Sequence, residues 1–180
     1  KCSGERYADW HRLCEGRATF INTYGPTEGT IIVTLFQSPL EEKTREVPIG
    51  RPISNCQVQI LDRLMHPVPI GVAGELYIGG DGVVRGYLNR PDLTAERFLP
   101  DSFSEQPGAR LYRSGDLARH LPDGNIEFLG RIDNQVKVRG FRVELSEVES
   151  SLRQHAGVEN AIVVAQQMHA GGLRLVAYIS

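Results

Sequence analysis

Glycine and proline punctuate the chain from residue 49 to residue 132 so densely that only short extended segments fit between them. Proline fixes φ and removes a backbone donor, and glycine favours turns, so long helices are excluded here. Cys56 to Leu61 alternates, with Val58 and Ile60 on one face, and Gly74 to Gly79 alternates too. Arg110 to Tyr112 and Asn125 to Leu129, the latter after the turn Pro122-Asp123-Gly124, continue the pattern. Strands at this spacing predict an antiparallel barrel or sandwich. Thr94 to Phe98 fits one helical turn.

The flanks read differently. Residues 8 to 15 carry Trp10, Leu13 and Cys14 among charges, a weak helical stripe. Thr19 to Asn22 predicts a short strand, and the apolar, β-branched run Gly29 to Phe36 predicts a buried one. Residues 37 to 48 hold Pro39 and Pro48 among polar residues, a surface loop. Beyond Asp133, Val136, Val138 and Phe141 surround Gly140 in an extended segment. Ser146-Glu147-Val148-Glu149 has the form of a capping box, with Leu145, Val148 and Leu152 on one helix face. Val158 to Ala165 and Leu173 to Ile179, joined at Gly171-Gly172, predict a hairpin. The whole is mixed α+β, with a boundary near Asp133.

Composition removes several function classes. Twenty Lys and Arg against 22 Asp and Glu leave a formal charge of -2, which gives no reason to expect nucleic acid or an anionic membrane as partner. The longest apolar runs, such as Ala161 to Ala165, fall far short of the ~20 residues of a spanning helix. No signal peptide is visible. Cys2, Cys14 and Cys56 form no CxxC pair and the five histidines no HxxxH, so no zinc knuckle or disulfide framework is indicated. A reducing, cytoplasmic setting is the expectation. The chain opens at Lys1 without Met and stops inside an apolar run, as expected of a piece of something longer.

Three segments carry candidate chemistry. Gly79, Gly80, Gly82 and Gly86 miss the dinucleotide fingerprint, because Arg85 stands where its third glycine would be, and they read as turns. No P-loop and no G-x-S-x-G elbow is present. In Asn22-Thr23-Tyr24-Gly25-Pro26-Thr27-Glu28, Gly-Pro forces a rigid turn that presents a hydroxyl and a carboxylate together. Thr27 suits a phosphate oxygen and Glu28 a hard divalent cation. Tyr24 can stack on a base and Asn22 can read its edge. The alternative is a rigid loop with solvated polar residues. In Tyr112-Arg113-Ser114-Gly115-Asp116, an aspartate after a glycine turn can accept from a ribose diol, or can form an Asx turn. From Gly130 to Gly140, Arg131, Lys137 and Arg139 suit an anion, or form a solvated basic face.

Together, NTYGPTE (22–28), GELYIGGDGVVRGYLNRPDLTAERF (74–98), YRSGD (112–116) and GRIDNQVKVRGFRVELSEVE (130–149) resemble the adenylation domains of nonribosomal peptide synthetases. These belong to the AMP-forming superfamily shared with acyl-CoA synthetases and luciferases, and QVKVRGFRVEL resembles the peptide synthetases most. The resemblance covers nearly the whole chain. It implies the end of a large core with a distorted, barrel-like subdomain over 1–132. A small α+β C-terminal subdomain would begin over 133–180, with the hinge at Asp133.

The resemblance implies activation of an amino acid with ATP and Mg²⁺ as an aminoacyl adenylate. Transfer to the phosphopantetheine thiol of a carrier domain would follow, with a condensation domain as a further neighbour. It places Gly4, Asn22, Tyr24, Thr27, Asp116, Phe128 and Arg131 at the nucleotide and Glu28 at the metal. Thr27, Glu28 and Lys137 would be catalytic, and Lys137 and Gly140 would face thioester formation. Cys2, Thr23, Ile31 and Ile32 would line the side-chain pocket, hinting at an apolar or medium-sized amino acid. Phe128 stands where many relatives carry Tyr, and Ser114 and Val84 replace commoner Thr and Ala. The family's phosphate loop, its amine-binding aspartate and its C-terminal lysine lie outside these 180 residues, so the isolated chain is expected to be inactive. An acyl- or aryl-CoA ligase and a non-catalytic module are the alternative expectations.

Overall fold

The computed structural model describes the chain outside residues 1, 3, 16, 38–45, 134, 139–140 and 169–171, and outside the side chains of Lys137 and Arg142. It divides into two compact units, Lys1–Ile132 and Asp133–Ser180.

The first unit opens with helix α1 (Gly4–Cys14). Tyr7, Trp10 and Cys14 fall at i, i+3 and i+7, so they share a face. Tyr7 is buried and meets Phe20 edge-on at 4.9 Å, beside Phe36 and Val47. The expected stripe is therefore corrected: the helix starts at Gly4, and Leu13, off that face, is 77% exposed.

Strands β1 (Ile21–Tyr24), β2 (Thr34–Gln37) and β3 (Arg51–Pro52) form an antiparallel sheet in that order. The long strand expected over Gly29 to Phe36 is cut to its last residues, which belong to β2. A 3-10 turn occupies Thr27–Gly29, and Thr30 and Ile31 follow at φ 59° and 72°. Local backbone bonds curl the segment instead of extending it: Gly29 N–H donates to Pro26 O (3.1 Å), Thr30 N–H to Thr27 O (3.1 Å) and Ile31 N–H to Pro26 O (3.2 Å). Local hydrogen bonding thus overrides β-propensity, and Ile31 is left 73% exposed.

Strands β4 (Cys56–Leu61) and β5 (Gly74–Gly80), helix α2 (Pro91–Arg97), and strands β6 (Phe98–Pro100), β7 (Arg110–His120) and β8 (Ile126–Arg131) follow. The five strands make one antiparallel sheet ordered β4-β5-β7-β6, with β8 also on β7. β6 pairs residues 110–112 of β7 and β8 pairs residues 116–120. Among the described residues these sheets stay open, which corrects the barrel-like expectation. Val58, Ile60, Leu76, Ile78, Tyr112 and Ile126 fill one face; Leu61, Tyr77 and Leu111 fill the other. Burial on both faces explains why Leu76 to Ile78 is a continuous apolar run, each such side chain contributing about 1.5–3 kcal/mol.

In the second unit, β9 (Val136–Val138) and β10 (Phe141–Val143) pair antiparallel, helix α3 (Leu145–Leu152) follows, and β11 (Ala161–Gln167) pairs with β12 (Leu173–Ile179). The capping box is not formed. Helix α3 starts at Leu145 with Glu144 as N-cap and no side-chain cap, which puts Ser146 inside the helix. Glu149 instead accepts a 2.9 Å hydrogen bond from Val163 N–H and ties α3 to β11. Val158 lies in the turns before β11, not in the strand. No helix among the described residues is long and apolar enough to cross a membrane.

Candidate active site

Asp116 sits in the middle of β7, not at a strand end. The pairing of β5 with β7 runs Leu76 to Asp116 and then Tyr77 to Arg113, so Ser114 and Gly115 form a bulge. The bulge is held from within: Ser114 Oγ donates to Leu76 O (2.5 Å) and accepts from Asp116 N–H (3.0 Å). The bulge re-aims the Asp116 side chain, and no Asx turn is needed.

Two donors then fix the carboxylate, which is only 6% exposed. Arg131, its register partner on β8, donates Nη1–H to Oδ1 at 2.7 Å and Nη2–H to Ser114 O at 3.1 Å. The Tyr24 hydroxyl, from the end of β1, donates to Oδ2. Burial, and then the Asp116 charge, push the Tyr24 phenol well above its ordinary range, so it remains a donor. The Phe128 ring lies 6.3 Å from the Tyr24 ring, so a second aromatic ring neighbours the residue that donates to the carboxylate. Ionised carboxylate oxygens each accept more than one hydrogen bond, which suits vicinal hydroxyls beside a stacked base.

Just beyond the Gly25-Pro26 turn, Glu28 is also 6% exposed. The Tyr87 hydroxyl donates to its Oε1 at 2.6 Å. The two segments are bonded elsewhere as well: Val84 N–H donates to Glu28 O (3.0 Å), and the Thr30 hydroxyl donates to Gly82 O (2.6 Å). Arg110 secures this strap from β7 through Arg85 O (2.7 Å) and Val84 O (3.1 Å). The glycines at 79–86 thus serve neither a dinucleotide loop nor a mere strand turn, since the segment after them grips Glu28. Sequence reading missed Tyr87; the only signal was an aromatic hydroxyl inside the motif 74–98. In the sequence Ser114 is visible only as a replacement for Thr, whereas in the structure its hydroxyl builds the bulge.

The other expected residues divide. Asn22 donates Nδ2–H to Pro48 O at 2.7 Å, which fixes the amide and turns its oxygen to acceptor duty. Thr27 is exposed in the 3-10 turn. Thr23, Ile31 and Ile32 are exposed, whereas Cys2 is half-buried against the Tyr7 cluster and Gly4 is buried in the first turn of α1. Asp133 accepts from Gln135 N–H at 3.2 Å. The Lys137 backbone pairs with Arg142 across β9 and β10, while its side chain and Gly140 lie outside the described residues.

Among the described residues no group of three or more His, Cys, Asp or Glu could hold a metal. The donors present are the Glu28 carboxylate and the Thr27 hydroxyl. Both are hard oxygens, which fit Mg²⁺ when phosphates complete its shell.

Comparison with known proteins identifies relatives of the chain. A family model described as AMP-binding enzyme matches residues 1–88. A linear gramicidin synthase polypeptide of Brevibacillus parabrevis is 58% identical over 161 residues, covering 89% of this chain and 3% of that protein. Malpibaldin synthetase of Mortierella alpina is 55% identical over 166 residues, covering 91% and 3%. An artificially fused Adenylation-PCP di-domain from Klebsiella oxytoca superposes with a TM-score of 0.81 at 31% identity, covering 99% of this chain and 33% of that one. The chain therefore spans a small part of its relatives. The chain belongs to the AMP-binding enzyme family and is similar in sequence and fold to part of the nonribosomal peptide synthetases.

Proposed function

We propose that residues 1–132 finish the large core of an amino-acid-activating domain and residues 133–180 open its small subdomain. The reaction joins the amino-acid carboxylate to the α-phosphorus of ATP with loss of pyrophosphate. The acyl group then passes to a carrier-domain thiol with release of AMP. The observation that carries this reading is the buried Asp116, held by Arg131 and Tyr24 beside Phe128. A buried acceptor with fixed donors behind it and aromatic rings beside it is what a ribose and its base require.

Each residue then has a task. Asp116 accepts from the ribose hydroxyls, and Asn22 accepts from the exocyclic amine of adenine. Thr27 donates to an α-phosphate oxygen, and Glu28 would hold Mg²⁺. The metal, when bound, neutralises charge that develops on the phosphates. Asp133 begins the second unit, and we assign it the hinge. Lys137 and Gly140 belong to the face turned toward the carrier thiol in the second half-reaction. The carrier partner is supported by the Adenylation-PCP architecture of the Klebsiella relative.

Amino-acid-dependent exchange of labelled pyrophosphate into ATP tests the reading in the complete domain. Exchange is expected with amino acids and is lost in Glu28→Gln, and the ATP KM rises in Asp116→Asn. Exchange supported by fatty or aryl acids and not by amino acids would overturn the amino-acid assignment. The 180-residue chain alone is expected to show no exchange.

A further inference from the structure

The strap from Gly82 to Thr94 does more than close the surface over the sheet. It contains the hydroxyl that donates to the Glu28 carboxylate. Tyr87 is itself held through both its ring and its backbone. Its ring meets Phe98 edge-on at 5.4 Å, and its backbone N–H donates to Thr94 Oγ1 at 2.9 Å. Thr94 Oγ1 in turn donates to Arg90 O at 2.8 Å, at the start of α2. Gly86 makes that approach feasible. Its φ is +141°, and a Cβ there would lie 2.4 Å from Thr94 Cγ2.

We propose that Tyr87 is a positioning residue that orients the Glu28 carboxylate for a divalent cation, and that Thr94 and Gly86 set Tyr87. The inference rests on Glu28 as the metal ligand, proposed above. A carboxylate on a short 3-10 turn has its own rotamer freedom. A neutral donor bonded to one oxygen removes that freedom without adding a cation that would compete with the metal. The backbone bond from Val84 N–H to Glu28 O and the bond from the Thr30 hydroxyl to Gly82 O hold the strap and the turn in one register, so the Tyr87 hydroxyl and the Glu28 carboxylate meet without searching.

The test is Mn²⁺ binding, followed by electron paramagnetic resonance in the complete adenylation domain with a non-hydrolysable ATP analogue. Tyr87→Phe is expected to weaken Mn²⁺ affinity about 10-fold or more. Tyr77→Phe removes a hydroxyl that donates to Glu75 at 3.3 Å, away from the site, and is expected to leave the affinity unchanged. If Tyr87→Phe does not fold, Thr94→Val carries the test with an expected loss of about 3-fold. Normal Mn²⁺ affinity in the folded strap variant, with affinity lost in Glu28→Gln, would overturn the positioning role and leave the metal assignment standing. Normal affinity in Glu28→Gln would overturn the metal assignment and this inference with it. A loss in Tyr77→Phe equal to that in Tyr87→Phe would show a general effect of sheet packing and overturn the specific role.

Discussion

Arg131 and Asp116 face each other as register partners on β8 and β7, and their side chains close the pair at 2.7 Å. The two are not equally buried: the Arg131 side chain is 21% exposed and that of Asp116 is 8% exposed. Removing the cation therefore strands the more buried charge. Arg131→Met is expected to destabilise the domain by about 2–4 kcal/mol, a little under the cost of breaking a fully buried pair. Asp116→Asn keeps the shape and leaves an arginine nearer water, so it costs less, about 1–2 kcal/mol. Nucleotide affinity should rank the other way, with Asp116→Asn the more damaging. Urea unfolding and the ATP KM on the same two variants check both orders.

Tyr24 predicts a loss of stability at high pH. Its phenol is raised in the folded protein by burial and by the Asp116 charge. Below pH ~10 the phenol is neutral in both folded and unfolded chains, and its contribution is fully present. Above that pH the unfolded chain loses the proton while the folded one keeps it, so stability falls as pH rises toward the folded pKa. Tyr24→Phe should flatten the fall of the urea midpoint above pH ~10 relative to wild type. Equal slopes would show that the phenol is not held by Asp116.

The candidate nucleotide contacts are legible in the sequence because their motifs are local. Asn22, Tyr24, Thr27 and Glu28 fall within one heptapeptide, and Asp116 and Arg131 within two short segments. Strands β4 and β5 are legible for a similar reason: Val58 and Ile60 alternate along β4, and glycines mark both ends of β5. What stays hidden depends on residues distant in sequence. Tyr87 reaches Glu28 across 59 positions, and Thr30 reaches Gly82 across 52. The Gly29 to Phe36 strand and the Ser146 box fail where a local pattern meets a competing hydrogen bond. Backbone bonds within the 26–33 loop defeat the first, and Val163 takes Glu149 from the second.

Gly50 and Gly108 separate backbone conformation from space. Both have positive φ, 88° and 79°. A Cβ on Gly50 would lie 2.0 Å from Leu35 O, whereas on Gly108 it would meet nothing within 4 Å. Gly108→Ala should cost only the left-handed penalty, about 1–2 kcal/mol. Gly50→Ala adds a collision with β2 backbone that cannot yield without breaking the sheet, and should cost roughly 3 kcal/mol or more. Thermal melts that show equal losses would mean that the β2–β3 edge relaxes freely.

In the second unit the sequence pattern and the observed bonding give opposite rankings. A capping box would make Ser146 the important residue, with Ser146→Ala costing about 1 kcal/mol. In the structure Ser146 lies inside α3 and Glu149 holds Val163 N–H at 2.9 Å. The backbone of β11 at Val163 is part-buried, and the residue is 4% exposed, so an N–H that loses its acceptor there is poorly replaced by water. Glu149→Ala should therefore cost about 1.5–3 kcal/mol, and Ser146→Ala less than about 0.5. Amide hydrogen exchange sharpens the test: Val163 N–H should lose protection in Glu149→Ala and keep it in Ser146→Ala. A Ser146→Ala loss larger than that of Glu149→Ala would restore the capping box and sink the α3–β11 link.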